Sequence, residues 1–179
     1  RRGIPFHKYG GLRYLEAAHV KDLLAAFRIA DNPRDEVAWF RVLQLLPGVG
    51  PAKAKRAVTA LGLLDEGEDA EVMLRWPLAL DVLPTIAHDR AEALARALGT
   101  REAEPLRAAM APLIAATYDD SDQRLADLDV LVAAAASLPR LSDVAAEHAL
   151  EPPRSTGDLA GVPAIDEDWL VISTMHSAK

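Results

Sequence analysis

Two extended apolar segments stand at opposite ends of this chain, Ile4 to Tyr9 and Trp169-Leu170-Val171-Ile172, and most of the sequence between them has helical spacing. The second is a continuous apolar run with β-branched residues, the pattern of a strand covered on both faces inside a mostly parallel sheet. Such a strand needs neighbours, and two strands do not make a stable buried sheet by themselves. The sequence therefore predicts a mainly α chain with short terminal β segments, both expected to belong to a larger α/β body. A start at Arg1 without Met and a stop at Lys179 just past the second segment are read the same way.

Between the ends, Val20, Leu23, Leu24 and Phe27 recur at helical spacing from Tyr14 until Asn32-Pro33 stops the pattern. A second helix is expected from Asp35, whose carboxylate can cap exposed amides; it carries Val37, Phe40 and Leu43 and ends at Pro47-Gly48. Ala-rich stretches at 52–61, 70–80, 90–98, 104–118, 122–137 and 141–149 favour helix by propensity, with Pro112 able to kink one of them. Residues 151–163, with three prolines and two glycines, read as a linker.

The 179 residues are 50% hydrophobic and 26% charged, which excludes wholesale disorder, and no apolar run is long enough to span a bilayer. Zero Cys removes disulfides, thiolate metal sites and cysteine nucleophiles, and without the pattern of a signal peptide a cytoplasmic location is the default expectation. The net charge of −7 is unevenly spread: residues 1–60 hold 11 Lys and Arg against 5 Asp and Glu, the remainder 9 against 22. A basic first third on an acidic chain suits a localised phosphate-binding patch.

The sharpest local signal lies in that third. Leu46-Pro47-Gly48-Val49-Gly50-Pro51-Ala52-Lys53-Ala54-Lys55-Arg56 falls between two predicted helices and reads as a helix-hairpin-helix. Two glycines flanking one buried apolar residue allow a tight turn whose amides, with the next helix N-terminus, form an anion site suited to a DNA phosphate. Gly48, Val49, Gly50, Lys53, Lys55 and Arg56 are the candidate duplex-binding residues. Contacts of this kind grip the backbone and read no bases. The competing reading is a corner that needs glycine only for steric reasons.

Other chemistry is thinly represented. The five histidines, at 7, 19, 88, 148 and 176, show no metal-ligand spacing, so no metal site is expected, and His19 and His88 are expected on helix surfaces. Acidic clusters at 65–69 and 119–122 lack the ligand order of a calcium loop. No glycine-rich loop ends in Gly-Lys-Ser/Thr, so this chain alone is not expected to hydrolyse ATP.

The stretch from Ile4-Pro5-Phe6-His7-Lys8-Tyr9-Gly10-Gly11 through Leu23-Leu24 to Asn32-Pro33-Arg34-Asp35 resembles superfamily 1 DNA helicases of the UvrD, PcrA and Rep group. Leu170 to Lys179, with Thr174-Met175-His176-Ser177-Ala178-Lys179, is similar to the start of that family's motif V. The Gly48-Val49-Gly50 hairpin stands where the family's 2B subdomain carries its duplex contact, and Gln123-Arg124-Leu125-Ala126-Asp127-Leu128-Asp129 resembles a helical signature late in 2B.

The resemblance implies residues 1–33 as the incoming part of a RecA-like 2A subdomain, 34–165 as a helical 2B insertion, and 166–179 as the return strand of 2A. The β segments would then be edges of an incomplete RecA-like α/β subdomain. It implies a piece of an ATP-driven 3′–5′ DNA helicase, with ATP and Mg²⁺ bound by the parent protein and no cofactor in this part. DNA at a single-strand/duplex junction is the implied partner, with repair or replication proteins beside it and no membrane. Tyr9, Gly10, Gly11, Thr174 and His176 match positions along the family's single-stranded DNA track, and Lys179 belongs to motif V. Two alternatives stay open. One is a helix-hairpin-helix DNA glycosylase, in which a Lys of the motif attacks the sugar and Asp65 or Asp69 assists. The other is a helical protein-interaction domain using the acidic face.

Overall fold

Helix α1 (Ala18–Asp31) is enclosed on almost every side, with ten of its residues buried, in the computed structural model, which describes residues 6–9, 14–65, 67–146 and 170–173. It packs against α2 (Glu36–Leu43), α6 (His88–Thr100), α7 (Ala103–Thr117) and α8 (Ser121–Ala135). Its apolar positions Val20, Leu23, Phe27 and Ile29 are at most 1% exposed, and they join Trp39, Leu94, Leu106, Met110 and Leu128 in one core. Only a narrow stripe of α1 at Lys21 and Arg28 is exposed, so the polar residues on its other faces must find partners inside.

The remaining helices are α3 (Pro51–Ala60), α4 (Asp69–Leu74) and α5 (Trp76–Val82), with α3 lying on α2 and α5. The architecture is mainly helical. The expected single helix over 70–80 is two, broken at Arg75 (φ −85°, ψ 0°), because Pro77 in the first turn of α5 has no N–H to continue the α4 ladder. Pro112 lies inside α7, which runs on to Thr117. Asp35 caps α2 as expected, its side chain accepting from the Ala38 amide at 2.9 Å.

Of the three apolar residues expected along α2, Leu43 is buried and the other two are not. Val37 is 70% exposed and Phe40 36%, whereas Ala38, Trp39, Val42 and Leu43 are buried. Both faces carry apolar residues at helical spacing, and the Trp39 indole decides between them. Its N–H donates to the Pro33 carbonyl at 2.8 Å and its ring lies 5.6 Å from that of Trp76.

Strands β1 (Phe6–Tyr9) and β2 (Leu170–Ser173) pair in parallel, Phe6 opposite Leu170 and Tyr9 opposite Ser173. A parallel pair needs a crossover connection, and here the helical body is that connection. The expected helix over 141–149 begins as a 3-10 turn at Leu141–Asp143 and is described as far as residue 146. The expected linker at 151–163 lies outside the described residues.

Candidate nucleic-acid interface

Helix α2 ends at Leu43 and α3 begins at Pro51, so the hairpin connection is residues 44–50. Within it Leu46-Pro47-Gly48-Val49 has the signature of a type II turn. Proline stands second, glycine third at φ +69°, and the Val49 amide donates to the Leu46 carbonyl at 3.1 Å. Leu46 and Val49 are 2% and 6% exposed and fasten the turn to the core, while Gly48 and Gly50 face solvent. The glycine–apolar–glycine pattern thus yields one inward side chain between two outward stretches of backbone.

The two glycines have different reasons. Gly48 sits in the left-handed region, where a side chain costs roughly 1–2 kcal/mol. Gly50 has φ −94° and ψ −179°, extended backbone open to any residue, and a Cβ built on it would have no atom within 4 Å. The steric explanation covers Gly48 and leaves Gly50 unexplained by the fold itself.

Gly50 is also the N-cap of α3 and has no side chain to satisfy the first amides; the Gly50 and Ala52 N–H groups find no acceptor among the described residues. The Gly50 carbonyl is taken by the amides of Lys53 (3.1 Å) and Ala54 (3.0 Å). Exposed amides at the positive end of a helix dipole form an anion site. Helix α3 contains no acidic residue, and Lys55 and Arg56 are exposed without an ion pair among the described residues. Lys53 is turned back: its ammonium donates to the Gly48 carbonyl at 2.9 Å, which braces the turn and holds a positive charge beside the open amides. Of the six hairpin candidates, Gly48, Gly50, Lys55 and Arg56 lie on the outer surface; Val49 is a buried anchor and Lys53 a brace.

Sequence reasoning missed a polar cluster around α1. His19 was expected on a helix surface, but it is 4% exposed. Its Nε2–H donates to the Asp127 carboxylate at 2.9 Å, and its Nδ1 accepts from Arg124 at 3.0 Å, an assignment required because guanidinium only donates. Both nitrogens are thereby used by a neutral ring, and burial pushes the imidazole below its ordinary value against the opposing pull of Asp127. Asp22, 1% exposed, accepts from Arg41 Nε and the Tyr118 hydroxyl, each at 2.6 Å. Burial and then the Asp22 contact push the Tyr118 hydroxyl up to about 12. The Tyr14 hydroxyl donates to the Asp127 backbone carbonyl and is likewise raised, chiefly by burial. Arg124 completes the set, 4.9 Å over the Tyr118 ring. The cluster ties α1, α2, the end of α7 and α8 together, and it gives a structural role to Arg124 and Asp127 of the 123–129 stretch.

Of the remaining candidates, the backbone of Tyr9 is in β1, and Gly10, Gly11, Thr174, His176 and Lys179 lie outside the described residues. Among the described residues no cluster of His, Asp and Glu could hold a metal ion, and no helix is long and apolar enough to cross a membrane. Of the residues named for the glycosylase reading, Lys53 donates to the Gly48 carbonyl and the Asp65 carboxylate is 3.9 Å from Arg75.

No protein-family model matches the chain. Over 43 residues, 24% of its length, it is 42% identical to the ATP-dependent DNA helicase UvrD1 of Mycobacterium tuberculosis, and equally to that of Mycobacterium bovis. The matched stretch covers 6% of those helicases, so similarity to a UvrD-type helicase is shown for part of this chain.

Proposed function

We propose that this chain is the duplex-binding and regulatory region of an ATP-dependent 3′–5′ DNA helicase, gripping the DNA backbone at a single-strand/duplex junction through its hairpin. The observation that carries the reading is Gly50, a glycine that neither conformation nor packing requires, placed beside unsatisfied amides and unpaired cations. The match to UvrD1 supports DNA as the partner.

In this reading residues 1–33 belong to the incoming part of a RecA-like 2A subdomain, 34–165 form the helical 2B insertion and 166–179 return to 2A. Helix α1 would then reach from the incoming segment into the core of the insertion. Parallel pairing of β1 with β2 supports that layout, since two strands alone are a marginal sheet and would gain neighbours in a complete RecA-like body. Tyr9, Gly10, Gly11, Thr174 and His176 would line the single-stranded track. ATP and Mg²⁺ would be bound by the motor lobes of the larger protein; this sequence has no Gly-Lys-Ser/Thr loop to cradle a triphosphate, and no step of hydrolysis is assigned to it.

The test is fluorescence anisotropy of the 179-residue chain with a duplex bearing a single-stranded tail. Binding is expected at low salt, insensitive to base sequence, weakening as salt rises by a slope of about −0.9 per phosphate neutralised. The absence of affinity at low salt would favour the protein-interaction reading. A borohydride-trapped covalent adduct with damaged DNA would favour the glycosylase.

A further inference from the structure

Beside the hairpin runs a cleft of about 520 Å³, bounded on one side by residues 44–50 and on the other by Arg90 at the start of α6 and by Pro112, Ala116 and Thr117 of α7. Helix α7 thus carries a wall opposite the open backbone of the turn. The lining contains no carboxylate and one cation, on a chain whose net charge is −7.

Most of the described arginines are engaged within the fold. Among the eleven described arginines, Arg28, Arg41, Arg75, Arg96 and Arg107 are paired with carboxylates. Arg34 is held by two carbonyls, and Arg124 by His19 and the Asp119 carbonyl. Arg90 is exposed and has no ion pair or hydrogen bond among the described residues. Arg56, Arg101 and Arg140 are likewise without a side-chain partner among the described residues, and what distinguishes Arg90 is its place in the cleft that the hairpin backbone lines.

The polar side chains of the opposite walls are already occupied: Gln44 donates to the Phe40 carbonyl at 2.8 Å, and the Thr117 hydroxyl donates to the Leu113 carbonyl at 2.8 Å. What remains is an apolar trough of Pro47, Pro112 and Ala116 with one planar cation on its rim. A sugar-phosphate unit matches both features, its deoxyribose lying on the apolar wall and its phosphate meeting the guanidinium fork, which favours bidentate contact.

Resting on the hairpin reading above, we infer that this cleft extends the backbone grip by one nucleotide. The hairpin amides hold one phosphate, and Arg90 holds the next phosphate of the same strand. Helices α6 and α7 would then fix the direction in which the strand leaves the hairpin.

The test compares the 179-residue chain with its Arg90→Ala, Arg90→Lys and Lys55→Ala/Arg56→Ala variants, each titrated with a fluorescein-labelled tailed duplex between about 50 and 200 mM salt. Arg90→Ala is expected to reduce the magnitude of the log–log salt slope by about 0.9, one phosphate contact. Arg90→Lys is expected to keep the slope, and Tm is expected to be unchanged because Arg90 makes no ion pair or side-chain hydrogen bond among the described residues. If the slope responds to Lys55→Ala/Arg56→Ala and not to Arg90→Ala, the cleft is outside the interface and the hairpin reading stands. If the unaltered chain shows no salt-dependent affinity, both fall.

Discussion

Replacing Gly50 by Ser separates what the fold needs from what the interface needs. Gly50 is the N-cap of α3 at φ −94° and ψ −179°, with nothing within 4 Å of a built Cβ, so serine fits without strain. Its hydroxyl can accept from the amides at the start of α3, a few tenths of a kcal/mol better than glycine at an N-cap. Replacing glycine also removes freedom from the unfolded chain, as Gly→Ala does for about 0.4–1 kcal/mol at a compatible site. At about 2–4 °C per kcal/mol for a chain of this size, Tm should rise by about 1–5 °C. The same substitution consumes the amides offered to a phosphate and fills the space through which it would arrive. A hydrogen bond to a charged group contributes about 1.5–3 kcal/mol, and tenfold in affinity corresponds to about 1.4 kcal/mol, so duplex binding should weaken by roughly 10- to 100-fold. Calorimetry and anisotropy on one preparation read both quantities. A variant that melts higher and binds as tightly as the original at every salt concentration would refute the assignment of Gly50 to the interface.

Three further outcomes follow from the same geometry. Gly48→Ala places a Cβ at φ +69° with only ordinary contacts to Pro84 (3.5 Å) and Ile86 (3.7 Å), so backbone strain is the main cost. A loss of roughly 1–2 kcal/mol in chemical denaturation is expected, and no loss would contradict the turn geometry. Asp22→Ala strands the Tyr118 hydroxyl and Arg41; because Arg41 is 39% exposed and can rehydrate, the expected destabilisation is about 3 kcal/mol, the lower end for a broken buried pair. His19 titrates below its ordinary 6.5 in the folded state, so the unfolded chain binds more protons in the interval between the two values. Its contribution is complete above about pH 6.5 and is lost as pH falls through that interval; His19→Gln should flatten the stability profile between about pH 8 and 5 relative to the original chain. Parallel profiles for the two proteins would contradict the buried, neutral assignment.

What could be read from the residues alone was local. The Asp35 cap and the stop at Asn32-Pro33 depend on neighbours a few positions away, and the structure has them where the sequence places them, whereas the second helix, expected to run to Pro47-Gly48, ends at Leu43 ahead of that turn. The break at Arg75 was hidden because Pro77 lies within an otherwise uninterrupted helical composition. The exposure of Val37 and Phe40 on α2 had a different source: they are as apolar as the residues that are buried, and the contacts of Trp39 with Trp76 and the Pro33 carbonyl select the buried side. The His19 cluster was out of reach, since Asp127, Arg124 and Tyr118 stand about a hundred residues away from His19 and Asp22 along the chain. For the candidate interface, the residue types were evident in sequence. The division between Gly48, held by backbone conformation, and Gly50, open to solvent, required coordinates.

The claim that the hairpin backbone is the phosphate grip is tested most directly by following the amide signals of the ¹⁵N-labelled chain while a tailed duplex is added. The amides of Gly48, Gly50, Ala52 and Lys53 should shift first and furthest, in proportion to occupancy, with those of α8 unmoved. Saturation of the duplex with those four signals in place, or with the largest shifts on α8, would contradict the account.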